Sequence, residues 1–184
     1  SGLMMAFKLV KESIPNVKLL LLTDPHERSS QSPNLNIIRY QEKLNDGSVQ
    51  FIFHVWNPIT EKLEPSPENC GLPHWESIGL DDVELNKIYN MADCYCSTSV
   101  GESFNLPLIE SFACGIPAVV GDHSIAEEHV KEPKTGYVAS DGREVYIEAI
   151  QSKANFSNIW DFANQMIDIQ ERWHKDIKYK NLKE

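Results

Sequence analysis

Hydrophobic positions first recur at helical spacing in Leu3, Phe7, Val10 and Ile14, and Pro15-Asn16 stops the pattern, so the chain opens with a helix. Val17 to Thr23 contains four consecutive leucines and reads as a buried strand. A polar stretch with Pro25 and Pro33 follows as a loop. Leu35 to Leu44 predicts a helix with Leu35, Ile38 and Ile37 facing inward, Asn45-Asp46-Gly47 ends it, and Val49 to Val55 is the next strand. From 57 to 79 the periodicity disappears among prolines at 58, 65, 67 and 73 and glycines at 71 and 79, which predicts a loop insertion. Helical spacing returns through Val83, Leu85, Ile88 and Tyr89, with Asp81 and Asp82 favouring the amino end.

A strand at 93–97, a helix from Asn105 or Leu106 to Gly115, and a strand at 118–120 come next. A short helix over 125–130 and a last short strand over 135–138 complete this part. From Asn158 to Lys178, the set Ile159, Phe162, Ala163, Met166, Ile167, Trp173 and Ile177 marks a long amphipathic helix. Strands alternating with helices predict an α/β fold: a Rossmann-like parallel sheet of about five strands with helices on both faces, in one domain spanning 1–184.

The chemistry concentrates between 101 and 120. Gly101-Glu102-Ser103-Phe104-Asn105-Leu106-Pro107-Leu108-Ile109-Glu110 joins a strand to a helix, and Ser-Phe-Ala-Cys-Gly-Ile-Pro-Ala-Val-Val follows. Asn105 suits the N-cap and Pro107 the first turn, where its missing N–H costs nothing. Gly115, with Pro117 behind it, ends the helix. The residues between are nearly all apolar, so the helix is expected to be buried on most faces and Glu110 to need a partner or a polar cleft. Glu102 sits at the carboxyl end of a strand, where open parallel sheets hold ligands. The N–H groups of Phe104, Asn105 and Leu106, orphaned at the positive end of the helix dipole, form an anion site between the two acids.

Glu, seven residues, Glu, with Phe-x-Leu-Pro-Leu between and Ala-Cys-Gly-x-Pro-Ala-Val-Val after, resembles the signature of retaining nucleotide-sugar glycosyltransferases of the GT-B fold. The resemblance is to the family 4, or group 1, type, which includes sucrose synthase and many mannosyl- and glucosyltransferases. It implies that Glu102 contacts the donor sugar's hydroxyls and is the catalytic carboxylate, that Glu110 binds the ribose, and that the amides of Ser103 to Leu106 contact the sugar and the diphosphate. By topology alone it makes His54, Val55 and Trp56 candidates for contact with the nucleobase. It implies no metal and no cofactor beyond the nucleotide-diphosphate sugar as substrate. The basic loop that grips the diphosphate in relatives does not appear, and neither does the N-terminal strand or acceptor-binding domain. The resemblance therefore casts this chain as the donor-binding C-terminal half, with the acceptor half in the same or a partner chain and the half alone inactive. Two departures stand out. Ser103 and Asn105 occupy positions that are usually Gly, so the Asn105 side chain is expected to enter the tightest part of the donor loop.

Composition narrows the alternatives. Hydrophobic residues make up 41% and charged residues 24% of 184, within the range of a folded globular domain. With 17 basic against 27 acidic residues the net charge is −10, which argues against nucleic acid as partner. No apolar run approaches the length of a membrane span. Cys70, Cys94, Cys96 and Cys114 lack zinc-site spacing, and Cys94 and Cys96 share one face of a strand, so free thiols in a reducing, cytoplasmic setting are expected. His123 and His129 near Glu127 and Glu128 lack the spacing of a metal site. Three functions compete with transfer: a nucleotide-sugar-binding module without activity of its own, and a sugar epimerase or a phosphorylase on the same fold. A dinucleotide oxidoreductase is disfavoured because no Gly-x-Gly-x-x-Gly follows a strand.

Overall fold

The computed structural model describes residues 2–23, 35–52, 54–57, 62–65, 81–123, 125–131, 135–140, 142–148 and 152–173. Two compact units emerge, Leu3–Leu85 and Asn86–Glu184. Cys70 and the Lys175 to Lys183 tail lie outside the described residues.

The first unit opens with α1, Gly2–Ser13, which buries Met4, Ala6, Phe7 and Val10 at helical spacing. β1, Leu19–Leu22, pairs in parallel with β2, Val49–Ile52, Leu19 opposite Val49. Burial falls along β1, from Leu19 at 8% exposed to Leu22 at 46%, so the leucine run is covered at its amino end only. Between them lies α2, Leu35–Gln41. The turn ahead of β2 is tightly bonded: Asp46 accepts from the Ser48 N–H at 3.1 Å and the Ser48 hydroxyl at 2.6 Å, and pairs with Lys11 of α1. The strand expected over 49–55 is two strands: β3, His54–Asn57, leaves β2 and forms an antiparallel ladder with β4, Lys62–Pro65. Part of the expected 57–79 loop is thus a strand, because Asn57 opposite Lys62 closes a short hairpin that satisfies its own backbone groups.

α3, Asp82–Met91, spans the boundary between the units, with the Asp81 side chain accepting from the Glu84 N–H at 2.8 Å in the manner of an N-cap.

The second unit holds β5, Tyr95–Ser97, β6, Ala118–Gly121, and β7, Gly136–Ala139, in a parallel sheet of that order. With β1 and β2, five parallel strands are present among the described residues. β6 is buried along its whole length, as a central parallel strand covered on both faces should be. Ala118 and Val120 pack with Leu108, Ile125, Ala126 and Val130. α5, Ile159–Trp173, packs on β6 and β7 and supplies none of those residues, so it covers the opposite face, where strand alternation puts Val119. Its buried side chains are Phe162, Ala163 and Ile169, and the Asn158 side chain caps it by accepting from Trp160 N–H at 2.9 Å. Gly136 lies so close to β6 that a Cβ there would come within 2.1 Å of the Ala118 carbonyl oxygen; only glycine fits.

α4, Leu106–Ala113, connects β5 to β6. The short helix expected after β6 is a π turn, Glu127–Lys131. Strand 135–138 is not the last: β8, Arg143–Ile147, and β9, Ser152–Phe156, form an antiparallel hairpin. Its alternation is masked by Glu144, Lys153 and other polar residues on the solvent side; Lys153 pairs with Glu144 at 2.8 Å.

Candidate functional site

Everything in the site hangs on the turn between β5 and α4. Asn105 is the N-cap of α4, with φ 59° and ψ 69°, the left-handed region that favours glycine. Asn tolerates it better than most side chains, and here the side chain is useful. Its Oδ1 accepts from the Leu108 N–H at 3.3 Å and from the Tyr95 hydroxyl at 3.1 Å, a hydrogen bond between helix cap and preceding strand. The side chain is therefore turned inward, at 8% exposure, and does not enter the outer concavity of the loop as expected from the sequence. The departure from glycine keeps the backbone conformation that glycine would provide. Burial pushes the Tyr95 phenol above its ordinary pKa, so it stays protonated and able to donate.

Outward of this cap, no acceptor among the described residues takes the N–H groups of Ser103, Phe104, Asn105 or Leu106. They lie at the positive end of α4. Ser103 and Phe104 are exposed, as is Leu106 at 62%. Phe104 is anchored from one side by His129, whose ring meets it edge-on at 5.2 Å between centroids.

The two carboxylates are held differently. Glu102 is half-buried and its Oε1 accepts from the Ser99 hydroxyl at 2.7 Å. Glu110 is exposed, and its Oε2 accepts from the Tyr89 hydroxyl of α3 at 2.8 Å. Tyr89 also reaches the Pro107 carbonyl, at 3.2 Å. Burial, then the bond to Glu110, raise the Tyr89 phenol well above its usual pKa, so the contact is a hydroxyl donating to a carboxylate throughout the physiological range. The expectation that α4 is buried on most faces is corrected here. Leu108 and Ser111 are buried against the sheet side, while Leu106, Pro107, Glu110 and Ala113 face solvent, because α4 is covered from one side only within its unit. Glu110 accordingly needs no buried partner; Tyr89 orients it instead of compensating its burial.

Ser99, Tyr89 and Tyr95 were not singled out by sequence reasoning as site residues. Tyr89 counted as an apolar position of a helix, and the signal available was its phenol, which gives an apolar ring a polar tip. His54, Val55 and Trp56 lie in β3 of the first unit, and their side chains fall outside what the structure describes. The site built here consists of residues of the second unit. Cys94 and Cys96 do share a face, with sulfurs 3.6 Å apart, and the bond to Cys96 together with burial drives the Cys94 thiol pKa up. Such a thiol is a poor nucleophile. Among the described residues no group of three or more His, Cys, Asp or Glu side chains could hold a metal ion.

Amides that take no acceptor among the described residues stand at the helix terminus between two oriented carboxylates, so the turn carries donors of the kind that anionic oxygens accept and acceptors of the kind that hydroxyl groups donate to. The sequence model of the family described as glycosyl transferases group 1 matches residues 60–155, just over half of the chain. The chain belongs to the group 1 glycosyl transferases. The matched range includes Tyr89, Tyr95, the whole Glu102 to Glu110 turn and helix, and β6 and β7. No relative is found among curated proteins. Among solved structures, a chain of the crystal structure of the GtfA/B complex is similar, with a TM-score of 0.50 and 14% sequence identity, over 98% of this chain and 27% of that one. At that identity the likeness speaks for the fold alone, and this chain spans 27% of the solved chain's length. As a group 1 glycosyl transferase domain, the protein has the Rossmann-like α/β architecture of a GT-B half, and no helix among the described residues is long and apolar enough to cross a membrane.

Proposed function

We propose that this domain binds a nucleotide-diphosphate sugar and presents it for transfer of the sugar to a hydroxyl acceptor with retention at the anomeric carbon. The observation that carries this is the turn into α4: amides with no acceptor among the described residues, between Glu102, set by Ser99, and Glu110, set by Tyr89. In this reading Glu110 accepts from the ribose hydroxyls and Glu102 from the hydroxyls of a hexose. The amides of Ser103 to Leu106 hold the diphosphate and stabilise the charge that develops as it departs, an electrostatic contribution needing no metal. His54, Val55 and Trp56 remain candidates for the nucleobase. The acceptor comes from an N-terminal domain in the same or a partner chain, and without it the half binds donor but does not turn over. The thiol-rich strand, with no disulfide geometry at Cys94 and Cys96, suits the cytoplasm.

A thermal-shift panel of UDP-, GDP-, ADP- and dTDP-hexoses tests this, since a ligand of the folded state raises Tm according to its affinity. A shift with one nucleotide class that is reduced in Glu110→Ala supports it. Equal shifts in wild type and Glu110→Ala, or none with any nucleotide, would overturn the assignment. Glu102→Ala is expected to reduce preference for the sugar nucleotide over the bare nucleotide diphosphate by about tenfold, the loss of a hydrogen bond to a charged group.

A further inference from the structure

The loop between β5 and α4 is tied to another segment of the second unit through an aromatic contact. The bond from Ser99 to Glu102 spans three residues and stays within the loop. Phe104 reaches further: its ring meets the His129 imidazole with centroids 5.2 Å apart and planes at 81°, the edge-to-face arrangement that aromatic quadrupoles favour. Around Phe104 the loop is open. Phe104 is 49% exposed, Gly101 and Ser103 are exposed, and a Cβ built on Gly101 would meet nothing within 4 Å.

His129 is itself held from several sides. It belongs to the π turn Glu127–Lys131, a rare conformation that recurs at functional sites. Its N–H donates to the Ile125 carbonyl at 3.0 Å, and its carbonyl accepts from the Thr135 hydroxyl at 2.7 Å. Lys131 pairs at 3.1 Å with both Glu127 of the turn and Asp122 just after β6. The neighbouring Val130 is fully buried in the same cluster as Leu108 of α4. One core therefore fixes both the π turn and the helix at whose amino end the amides of 103–106 stand, and the ring contact joins the two again nearer the surface.

That contact bears directly on the amides. Phe104 contributes one of them, and its neighbours Ser103 and Asn105 contribute two more; none takes an acceptor among the described residues. Without the imidazole beside it, a half-exposed ring samples further rotamers, and the backbone that carries it has to be ordered when an anion binds. A site that is competent for only part of the time binds more weakly in proportion.

We infer that His129 is a positioning residue of the donor site: its ring fixes Phe104, and through Phe104 the amides of 103–106, in the arrangement that accepts the diphosphate. The inference rests on the donor-binding reading and deepens it. What acts is an aromatic ring, so another aromatic side chain at 129 should serve and an aliphatic one should not.

Binding of UDP, GDP, ADP and dTDP is measured by titration calorimetry on the full chain in wild type, His129→Leu, His129→Phe, Phe104→Ala and the variant combining His129→Leu with Phe104→Ala, with Tm recorded for each. His129→Leu is expected to weaken whichever diphosphate wild type binds by about two- to tenfold, the range that an edge-on aromatic pair contributes, and His129→Phe to restore it. With Phe104 already truncated, His129→Leu is expected to cause no further loss, because the two residues act as one unit. Equal affinities in wild type and His129→Leu overturn the inference; a purely structural His129 would give that result with a lowered Tm. A loss that His129→Phe does not restore also overturns it, since an imidazole nitrogen would then be the acting group. So does a loss that persists undiminished in the Phe104→Ala background. Should Glu110→Ala weaken binding while His129→Leu does not, the donor reading stands and the positioning role alone falls. Binding of none of the four diphosphates by wild type overturns both.

Discussion

Two turns of this molecule use the same backbone device for opposite ends. The turn before β2 in the first unit and the turn before α4 in the second both pass through the left-handed region, at Gly47 with φ 83° and at Asn105 with φ 59°. In the first, the polar groups close on one another: Asp46 takes the Ser48 amide and hydroxyl and the Lys11 ammonium, and Lys18 donates to the Gly47 carbonyl at 3.2 Å. In the second, the Asn105 side chain closes inward on Tyr95 and Leu108, and the amides of 103–106 take no acceptor among the described residues. The difference teaches where to look for function in a fold of this kind. A turn whose donors and acceptors cancel is architecture; one that spends its side chain on the cap and leaves its amides open has capacity for a ligand.

Substitutions at the two turns should therefore separate stability from binding. The largest effect is expected for Asn105→Ala, which loses the cap and places alanine in the left-handed region, for a loss of about 2–3 kcal/mol in denaturant unfolding. Asn105→Gly relieves the backbone while losing the cap, and its stability should lie within about 1 kcal/mol of wild type. If the alanine and glycine variants unfold alike, backbone conformation is not what Asn105 supplies.

Next in size, Glu110→Ala should weaken nucleotide binding by about tenfold, equivalent to about 1.4 kcal/mol, while its Tm stays within a degree or so of wild type, since the side chain is exposed. A matching fall in Tm would make Glu110 a structural residue and erase the contrast between the turns. Gly47→Ala should cost about 1 kcal/mol of stability from backbone conformation alone. A Cβ there meets nothing within 4 Å, and nucleotide binding should not change.

The smallest effect concerns acid. The bond from Lys11, reinforced by Ser48, holds the Asp46 carboxyl well below the usual carboxylate range. A depressed folded-state pKa gives stabilisation that is complete above the unfolded value, roughly pH 4, and is lost as pH falls through the folded value. Acid unfolding of wild type and Asp46→Asn should converge below pH 4 and separate modestly above it, because the pair is solvent-screened. Curves that stay parallel across that range would show that the Asp46 charge contributes nothing to the turn.

Much of this was legible in the residues. Periodicity located α1 and α5, because one-sided burial leaves a 3.6-residue trace. The Asn-Leu-Pro stretch placed the start of α4 at Asn105 or Leu106, within one residue of the observed start, because capping and proline chemistry are local. The β8–β9 hairpin left no such trace, since its stability lies in cross-strand pairs such as Lys153 with Glu144, and the hairpin at β3 and β4 hid among prolines.

What the sequence determined by itself is the α/β class, the position of the helix whose amino end carries the site, and the two carboxylates that bracket it, since all depend on spacing and propensity within about twenty residues. What only the tertiary structure decided is how those carboxylates are held and what stands behind them. The bond from Tyr89 to Glu110 crosses 21 residues of chain. The close approach of Ser157 to Gly121 brings together the ends of two strands far apart in sequence. Side-chain hydrogen bonds act over about three ångströms, and which groups come that close is set by how the strands pack, not by their order along the chain.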